Sequence, residues 1–444
     1  MQLTAMTGET DPNLRRMDIE THRAGPTYYP HYVHLLNKPR PEMNAFLSMD
    51  DWQLIAAASF LELPQLQGQN LMDFPKRQLQ NTEISSELSQ DQIARFRTEG
   101  YDDEKIENFR RMLVSMTDFE TNQGSEQTSK HITRILIERS GITESIWREA
   151  GQEMLEAVLP TETGQTQELF SLQHPSTNQR TAVEIARDIG IERLTLTTDF
   201  PVTLATFGFS RTSYKPTECR LNAFRANNDF DGRYPIFVDV VQADAVIIRL
   251  DANRVWKWLE VNEFVPSLQG NPTDLDIAKR AYFVNLFNDV SLGTSLTSEE
   301  SMERMVFGLL HTMSHVFIRR ASLLCGLERT SLAEYVLPRA LTFALYCSHR
   351  QGATIGALAS LFEQSLAEWL SQVYKNTRRC VYDPVCSSDH GGDCHACTHL
   401  SETSCRFFNM NLGRCFLFGG EDKQLEKVLV GYLDPSLNQE TNYV

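Results

Sequence analysis

Six of the nine cysteines in this 444-residue chain crowd into one stretch: Cys380, Cys386, Cys394, Cys397, Cys405 and Cys415. Thiols at that density are either oxidised in pairs or held by a metal. The opening residues, Met1 to Asn13, show no basic region followed by an apolar run, so no export signal is expected. Reduced thiols follow from that, and the cluster reads as a metal site rather than a disulfide framework. Its core is Cys394-His-Ala-Cys397, because two thiolates separated by two residues on a tight turn both reach one ion at ~2.3 Å. Cys386 and Cys405 lie symmetrically about this pair, each separated by seven residues from the nearer CxxC cysteine. The expected ligands are therefore Cys386, Cys394, Cys397 and Cys405, with Cys380 as the alternative to Cys386 and His390, His395 and His399 as substitutes. The ion expected is zinc. A site closed by four protein ligands leaves no position for water, so its role is structural. A set of unliganded thiols or a redox-active CxxC is the competing reading, disfavoured by the surplus of cysteines and the lack of an aromatic-proline neighbour.

A second constellation is His311-Thr-Met-Ser-His315, which places two imidazoles on one helical face at the spacing used by zinc metalloproteases. The acid expected after the first histidine is Thr312, so the general base of that motif is missing. Met302, Met305, Val306, Leu309, Leu310, Met313, Val316 and Phe317 form an apolar stripe toward a core. Arg304, Gly308, His311, His315, Arg319 and Ser322 form a second, polar stripe. It suits an internal hydrogen-bonded network, or else a partner or nucleic-acid interface. Metal-dependent hydrolysis, with Glu334 or Asp383 as further ligand or base, is the third use.

Other chemistry is excluded more firmly. There is no G-x-x-x-x-G-K-[ST] and no G-x-G-x-x-G, so no loop matches a nucleotide-phosphate cradle. Lys and Arg total 42 against 58 Asp and Glu, a net charge of −16, which argues against coating nucleic acid through bulk charge. Any such contact must be local or shared with a more basic partner. No apolar run approaches the ~18–20 residues of a membrane span. A soluble, cytoplasmic, non-enzymatic protein is expected.

These residues need elements to position them. Residues 1–47 read as an extended, proline-marked arm, with Arg23, His31, His34, Lys38 and Arg40 among the tyrosines. It is either a stacking surface for single strands or, more simply, a packed arm. Residues 48–165 read as a helical insertion, with amphipathic stretches near 102–120, 127–139 and 144–158, the last ending before Pro160. Ser89 and Gln92 have capping-box spacing. Residues 166–444 read as an α/β (mixed α+β) domain carrying a C-terminal zinc-binding segment, 380–415. Within it Leu194–Thr197, Ile236–Val241, Ala245–Leu250 and Leu341–Cys347 are strand-like. Helices are expected near 252–260, 277–289, 298–324 and 357–374, the third with Thr297 and Glu300 in capping-box register and Gly326 as its stop.

Several motifs taken in order resemble DrmB-like subunits of DISARM-type antiphage defence systems. They are Arg23-Ala-Gly-Pro-Thr-Tyr-Tyr-Pro30, Phe207-Gly-Phe209-Ser-Arg211, Leu310-His-Thr-Met-Ser-His315, Ser331-Leu-Ala-Glu334, Asp383-Pro-Val-Cys386, Cys394-His-Ala-Cys397 and Glu402-Thr-Ser-Cys405-Arg-Phe-Phe-Asn409. The resemblance runs over roughly residues 20–420. It implies a helicase-associated, zinc-carrying subunit that partners a superfamily-two helicase and DNA. Members of that family carry an additional N-terminal region with its own cysteines, which is expected to be missing here. Leu412-Gly-Arg414 replaces the family's Leu-Asp-Arg, and Gly352 to Leu358 only partly matches its glycine turn. On this reading the candidate nucleic-acid or partner contacts are Arg211, His311, His315, Arg319, Arg378 and Arg379. The two adjacent arginines precede the zinc loop, where a metal-fixed turn would hold guanidiniums toward phosphate. Basic residues also suit a plain helix C-terminus.

Overall fold

The computed structural model describes residues 28–36, 41–66, 71, 130–163, 166–211, 220–224, 233–347, 356–389, 391–401, 404–425 and 427–438. The expected helix at 102–120 and the capping pair Ser89 and Gln92 lie outside them. Strand β1 (Tyr28–Leu36) is followed by helices α1 (Pro41–Leu47), α2 (Trp52–Phe60), α3 (130–140) and α4 (Glu144–Thr163). Then come β2 (Thr166–Glu168), α5 (Thr177–Asp188), β3 (Ile191–Arg211), β4 (Asn222–Ala223) and β5 (Phe237–Leu250). Helices α6 (Ala252–Val261), α7 (Leu275–Leu286) and α8 (Ser301–Cys325) lead into the hairpin β6 (Leu332–Leu337) and β7 (Thr342–Cys347). The chain closes with α9 (Ala357–Gln364), α10 (Leu366–Thr377), α11 (Val385–Asp389), α12 (Cys415–Phe418) and the small pair β8 (Gly420–Glu421) and β9 (Lys427–Val428). The fold is mixed α+β. Its main sheet has the order β1-β3-β5-β7-β6, with β2 and β4 added on β3.

Contacts divide the chain into two units, Met1–Leu35 with Val202–Val240, and Leu36–Pro201 with Val241–Val444. This differs from the expected division at residues 47 and 165. The described helices before residue 165 belong to the larger unit, and β3 and β5 are long enough to run from one unit into the other. In the smaller unit, β4 pairs antiparallel with β3 through Gly208 and Phe209, and His31 Nε2 lies 2.8 Å from Ser210 Oγ. Over its described part the expected extended arm is thus a sheet strand, β1, followed by a short helix, α1. In the larger unit β5 and β6 both pair antiparallel with β7, with Ile247 opposite Ala344 and Glu334 opposite Leu345.

Two local expectations change. Helix α4 continues through Pro160 to Thr163. The proline sits in the last turn, so the one hydrogen bond its ring removes comes where the helix is ending anyway. The helix expected over 357–374 is broken at Ser365, whose φ of −133° leaves the helical region. Its N–H still bonds Leu361 O and its carbonyl still accepts from Trp369 N–H, so it ends one helix and begins the next. The bend keeps Leu361, Phe362, Leu366, Trp369 and Leu370 all buried.

Helix α8 is the centre of the larger unit. Glu300 accepts from the N–H of Thr297 at 3.0 Å just ahead of it, and Gly326 ends it in the left-handed region at φ 65°. Its apolar stripe packs on the sheet and on α10, where Trp369 Nε1 donates to Phe317 O at 3.0 Å. Each fully buried Leu or Phe of such a stripe contributes ~1.5–3 kcal/mol. Its polar stripe is buried as well, and faces residues 392–422 instead of solvent. Arg304 forms a forked pair with Asp422, 2.8 and 2.7 Å, and donates to Asn411 Oδ1 at 3.0 Å. At Gly308 a Cβ would meet the Phe416 ring at 2.4 Å, so only glycine admits that ring. Thr312 Oγ accepts from Gly413 N–H at 3.1 Å. The polar stripe is therefore the seat of the C-terminal segment.

Burial alone would push the Asp422 carboxyl up, but Arg304 and the N–H groups of Gln424 and Leu425 hold it below the ordinary carboxylate range. Its contribution is complete above the unfolded aspartate value of about 3.9 and is lost as pH falls through the lower folded value. Asp422→Asn leaves Arg304 buried without its counter-charge. It is expected to lower folding stability by about 3–5 kcal/mol at neutral pH, measured by urea denaturation. An unchanged midpoint would contradict this role.

Candidate metal centre

Helix α10 delivers the chain at Thr377 to a turn that carries Cys380, and Cys386 stands in the short helix α11. Gly391 and Gly392 then adopt φ of 64° and 70°, a left-handed step that side chains resist. Gly392 N–H donates to Cys386 O at 2.8 Å, folding the next segment back. The knuckle itself is a turn in which Cys397 N–H and Thr398 N–H both donate to Cys394 O, at 3.1 and 3.0 Å. The two glycines thus supply a conformation.

This path brings the sulfurs of Cys380, Cys386, Cys394 and Cys397 together, with Sγ–Sγ distances of 3.6 Å for Cys380–Cys394, 3.6 Å for Cys394–Cys397 and 3.7 Å for Cys386–Cys397. A tetrahedron with ~2.3 Å metal–sulfur bonds has edges of ~3.8 Å. The four thiols match the donor set of a closed metal site. Burial pushes the Cys386 and Cys397 thiols up. For Cys394 burial acts the same way, yet the backbone N–H groups of Ala396 and Cys397 and the Cys386 thiol outweigh it and lower its value.

The expected fourth sulfur, Cys405, is elsewhere. Ser404 O accepts from Glu334 N–H at 3.2 Å, so the chain at Ser404 runs along the outer edge of β6, the last strand in the sheet order. That carries Cys405 to the histidines of α8, where its Sγ is 3.2 Å from His311 Nε2. Cys380 takes its place. The symmetric spacing about the CxxC was uninformative because the path of the chain, set by contacts with β6, decides which sulfur arrives. Cys380 does have a local signature, the Asp383 Oδ2 that accepts its backbone N–H at 2.7 Å. Cys415 belongs to neither group and lies near Asp422.

Two arginines that flank the sulfurs hold the knuckle. Arg319 Nη1 donates to the carbonyls of His399 at 2.9 Å and His395 at 3.3 Å, and Nη2 to that of Ala396. Burial, reinforced by nearby Arg329, pushes its guanidinium down to about 10. Arg414 Nη2 pairs with Asp383 and Nη1 donates to Arg378 O at 2.9 Å, closing the turn around Cys380. In the sequence Arg414 was named only as the end of Leu412-Gly-Arg414, with no role attached to it. Together these cations offset negative charge on the thiolates.

The candidate contact residues separate accordingly. His311, His315 and Arg319, read either as an internal network or as partner and nucleic-acid contacts, are buried in an internal network. Arg378 and Arg379 are exposed at the end of α10, and Arg211 is exposed in the smaller unit. Of the two acids considered beside the histidines, Glu334 is there, with Oε1 3.1 Å from His311 Nε2 and 3.3 Å from His315 Nε2. Asp383 is not, being paired with Arg414. Nearby, a cavity of about 540 Å³ is bordered by Glu149, Glu153, Glu156, Tyr335, Arg339 and Phe407. Burial raises Glu153 there to about 7, although Arg339 donates its backbone N–H to it.

No family model matches the chain. Over 216 residues, 44% of this chain, it is 23% identical to the DISARM protein DrmB of Bacillus paralicheniformis, and the match spans 34% of that protein's length. The aligned part is shorter than the 20–420 span over which the motifs resemble the family. Among the described residues, no helix is long and apolar enough to cross a membrane.

Cys380→Ser is expected to lower bound metal by one equivalent per chain, measured by elemental analysis of the purified protein; unchanged content would remove Cys380 from the site. Arg319→Ala, which frees three knuckle carbonyls, is expected to weaken metal retention against a chelator by about tenfold or more. Equal retention would show that the arginine does not brace the site.

Proposed function

We propose that this protein is a DrmB-like, non-catalytic subunit of a DISARM-type antiphage defence system, stabilised by structural zinc and acting beside a superfamily-two helicase on DNA. The similarity to DrmB is the observation that carries the reading. Zinc is the ion of choice because four thiolates with near-tetrahedral edges suit a soft, four-coordinate site. Held by four protein ligands, it contributes folding energy to a segment of turns that has little apolar core of its own.

The charge balance supports a partner-binding role. A chain of net charge −16 does not hold DNA unaided, so strand contact is shared with a more basic motor. Exposed Arg378 and Arg379 stand directly ahead of the sulfur site, on a turn whose backbone Arg414 holds, so the backbone that would present their guanidiniums to phosphate is already placed. Arg211 is the candidate contact of the smaller unit.

A hydrolase built on the His311 and His315 helix is the second reading, and the meeting of Glu334 with both imidazoles favours it. All three side chains are fully buried, so a substrate has no approach to them. The non-catalytic reading is preferred for that reason.

Co-expression with the helicase of the same system tests the proposal. A complex that stays together on size exclusion at low salt, and binds overhang DNA more tightly than the helicase alone in fluorescence anisotropy, is the expected result. Separate elution of the two proteins would reject it.

A further inference from the structure

The residues left over from the first cluster form a second one. His311 and His315 stand one turn apart on α8, Glu334 projects from β6, and Cys405 comes from the segment that follows the knuckle. Their ligand atoms all lie within 4.8 Å of one another, and all four side chains are buried. Closest approaches are 3.1 Å from His311 Nε2 to Glu334 Oε1, 3.2 Å to Cys405 Sγ, and 3.3 Å from His315 Nε2 to Glu334 Oε1. A tetrahedral zinc site with ~2.0–2.1 Å bonds to nitrogen and oxygen has edges of ~3.3 Å.

Hydrogen bonds between neutral side chains leave the contact of His315 with Glu334 mismatched. His315 Nδ1 lies 2.8 Å from Thr398 O, and a carbonyl only accepts, so Nδ1 carries the ring proton. In the neutral imidazole Nε2 is then a lone pair, and it faces a carboxylate oxygen. That is the arrangement of a metal-bound histidine, whose other ring nitrogen donates to a backbone carbonyl and fixes the tautomer. Glu334 Oε2 is oriented by Ser314 Oγ. Around them the wall is apolar: Phe307 stacks on His311 at 5.3 Å, and Phe407 meets it edge-on at 5.3 Å. An uncompensated carboxylate in such a place is costly.

We propose that His311, His315, Glu334 and Cys405 hold a second, structural metal ion, a borderline divalent cation of which zinc fits best. One thiolate and one carboxylate balance its two charges, so the centre is neutral, as an apolar core requires. Two imidazoles, a thiolate and a carboxylate make up the mixed donor set zinc accepts. Four protein ligands close it, and none is exposed, so it holds no reactive water. Its effect is mechanical: it ties α8, the edge strand β6 and the segment after the knuckle at one point. The proposal does not depend on the assignment of partner or defence system.

Elemental analysis and zinc X-ray absorption on the purified full-length protein test it. The expected result is two zinc ions per chain, with an averaged first shell of five sulfurs to three nitrogen or oxygen atoms. Cys380→Ser is expected to keep one ion, now with one sulfur and three lighter ligands. His315→Ala is expected to lose the mixed-ligand ion. Should that variant fail to fold, the wild-type shell and the Cys380→Ser protein still decide the matter. One ion per chain with an all-sulfur shell, or a Cys380→Ser protein with no metal, would overturn the proposal.

Discussion

A long helix buried over most of its length has to satisfy its polar groups from within the protein, and that constraint organises this fold. Helix α8 turns an apolar face to the sheet and to α10, which is ordinary core packing. Its other face carries two arginines, two histidines and a threonine, none of which reaches bulk water. Unpaired, each would cost about 1–3 kcal/mol or, for the charges, more. The C-terminal segment supplies the partners in order along the helix: Asp422 and Asn411 to Arg304, the Phe416 ring to Gly308, Gly413 to Thr312, Cys405 and Thr398 to the histidines, and the knuckle carbonyls to Arg319. The helix cannot be buried without the segment, and the segment has no shape without the helix.

The sulfur site follows from this dependence. A run of turns rich in glycine and polar residues cannot bury enough apolar surface to order itself. Here two kinds of cross-link do so instead. Cations on one side, Arg319 and Arg414, grip backbone carbonyls and Asp383, and a cage of four thiols converges between them. The guanidiniums lie where thiolate charge would accumulate, so the same residues shape the loop and balance its electrostatics. What remains on the outside, next to this rigid turn, is a pair of exposed arginines.

Much of this was legible in the sequence because it is local. The apolar spacing from Met302 to Phe317 gave the helix and its buried face, Gly326 gave its end, and the polar spacing from Arg304 to Ser322 marked a stripe with a separate purpose. The CxxC identified the region of the sulfur cluster. What the sequence did not disclose is non-local. Whether Cys380 or Cys405 completes the cage depends on the hydrogen bond between Ser404 and Glu334, residues far apart in the chain. The direction of the polar stripe depends on Asp422, more than a hundred residues beyond it. Ser365 was misread for a related reason, since the break there is decided by what the flanking turns pack against, whereas Pro160 was misread because a proline in a last turn removes only a bond where the helix is ending.

Hydrogen–deuterium exchange on the full-length protein before and after metal removal with a chelator tests the central claim, that metal ligation gives the cysteine-rich segment its structure on the seat provided by α8. The account predicts that amides over 380–400 lose protection once the metal is gone while the β5–β7 core keeps it. Unchanged protection over 380–400 in fully metal-free protein would contradict it.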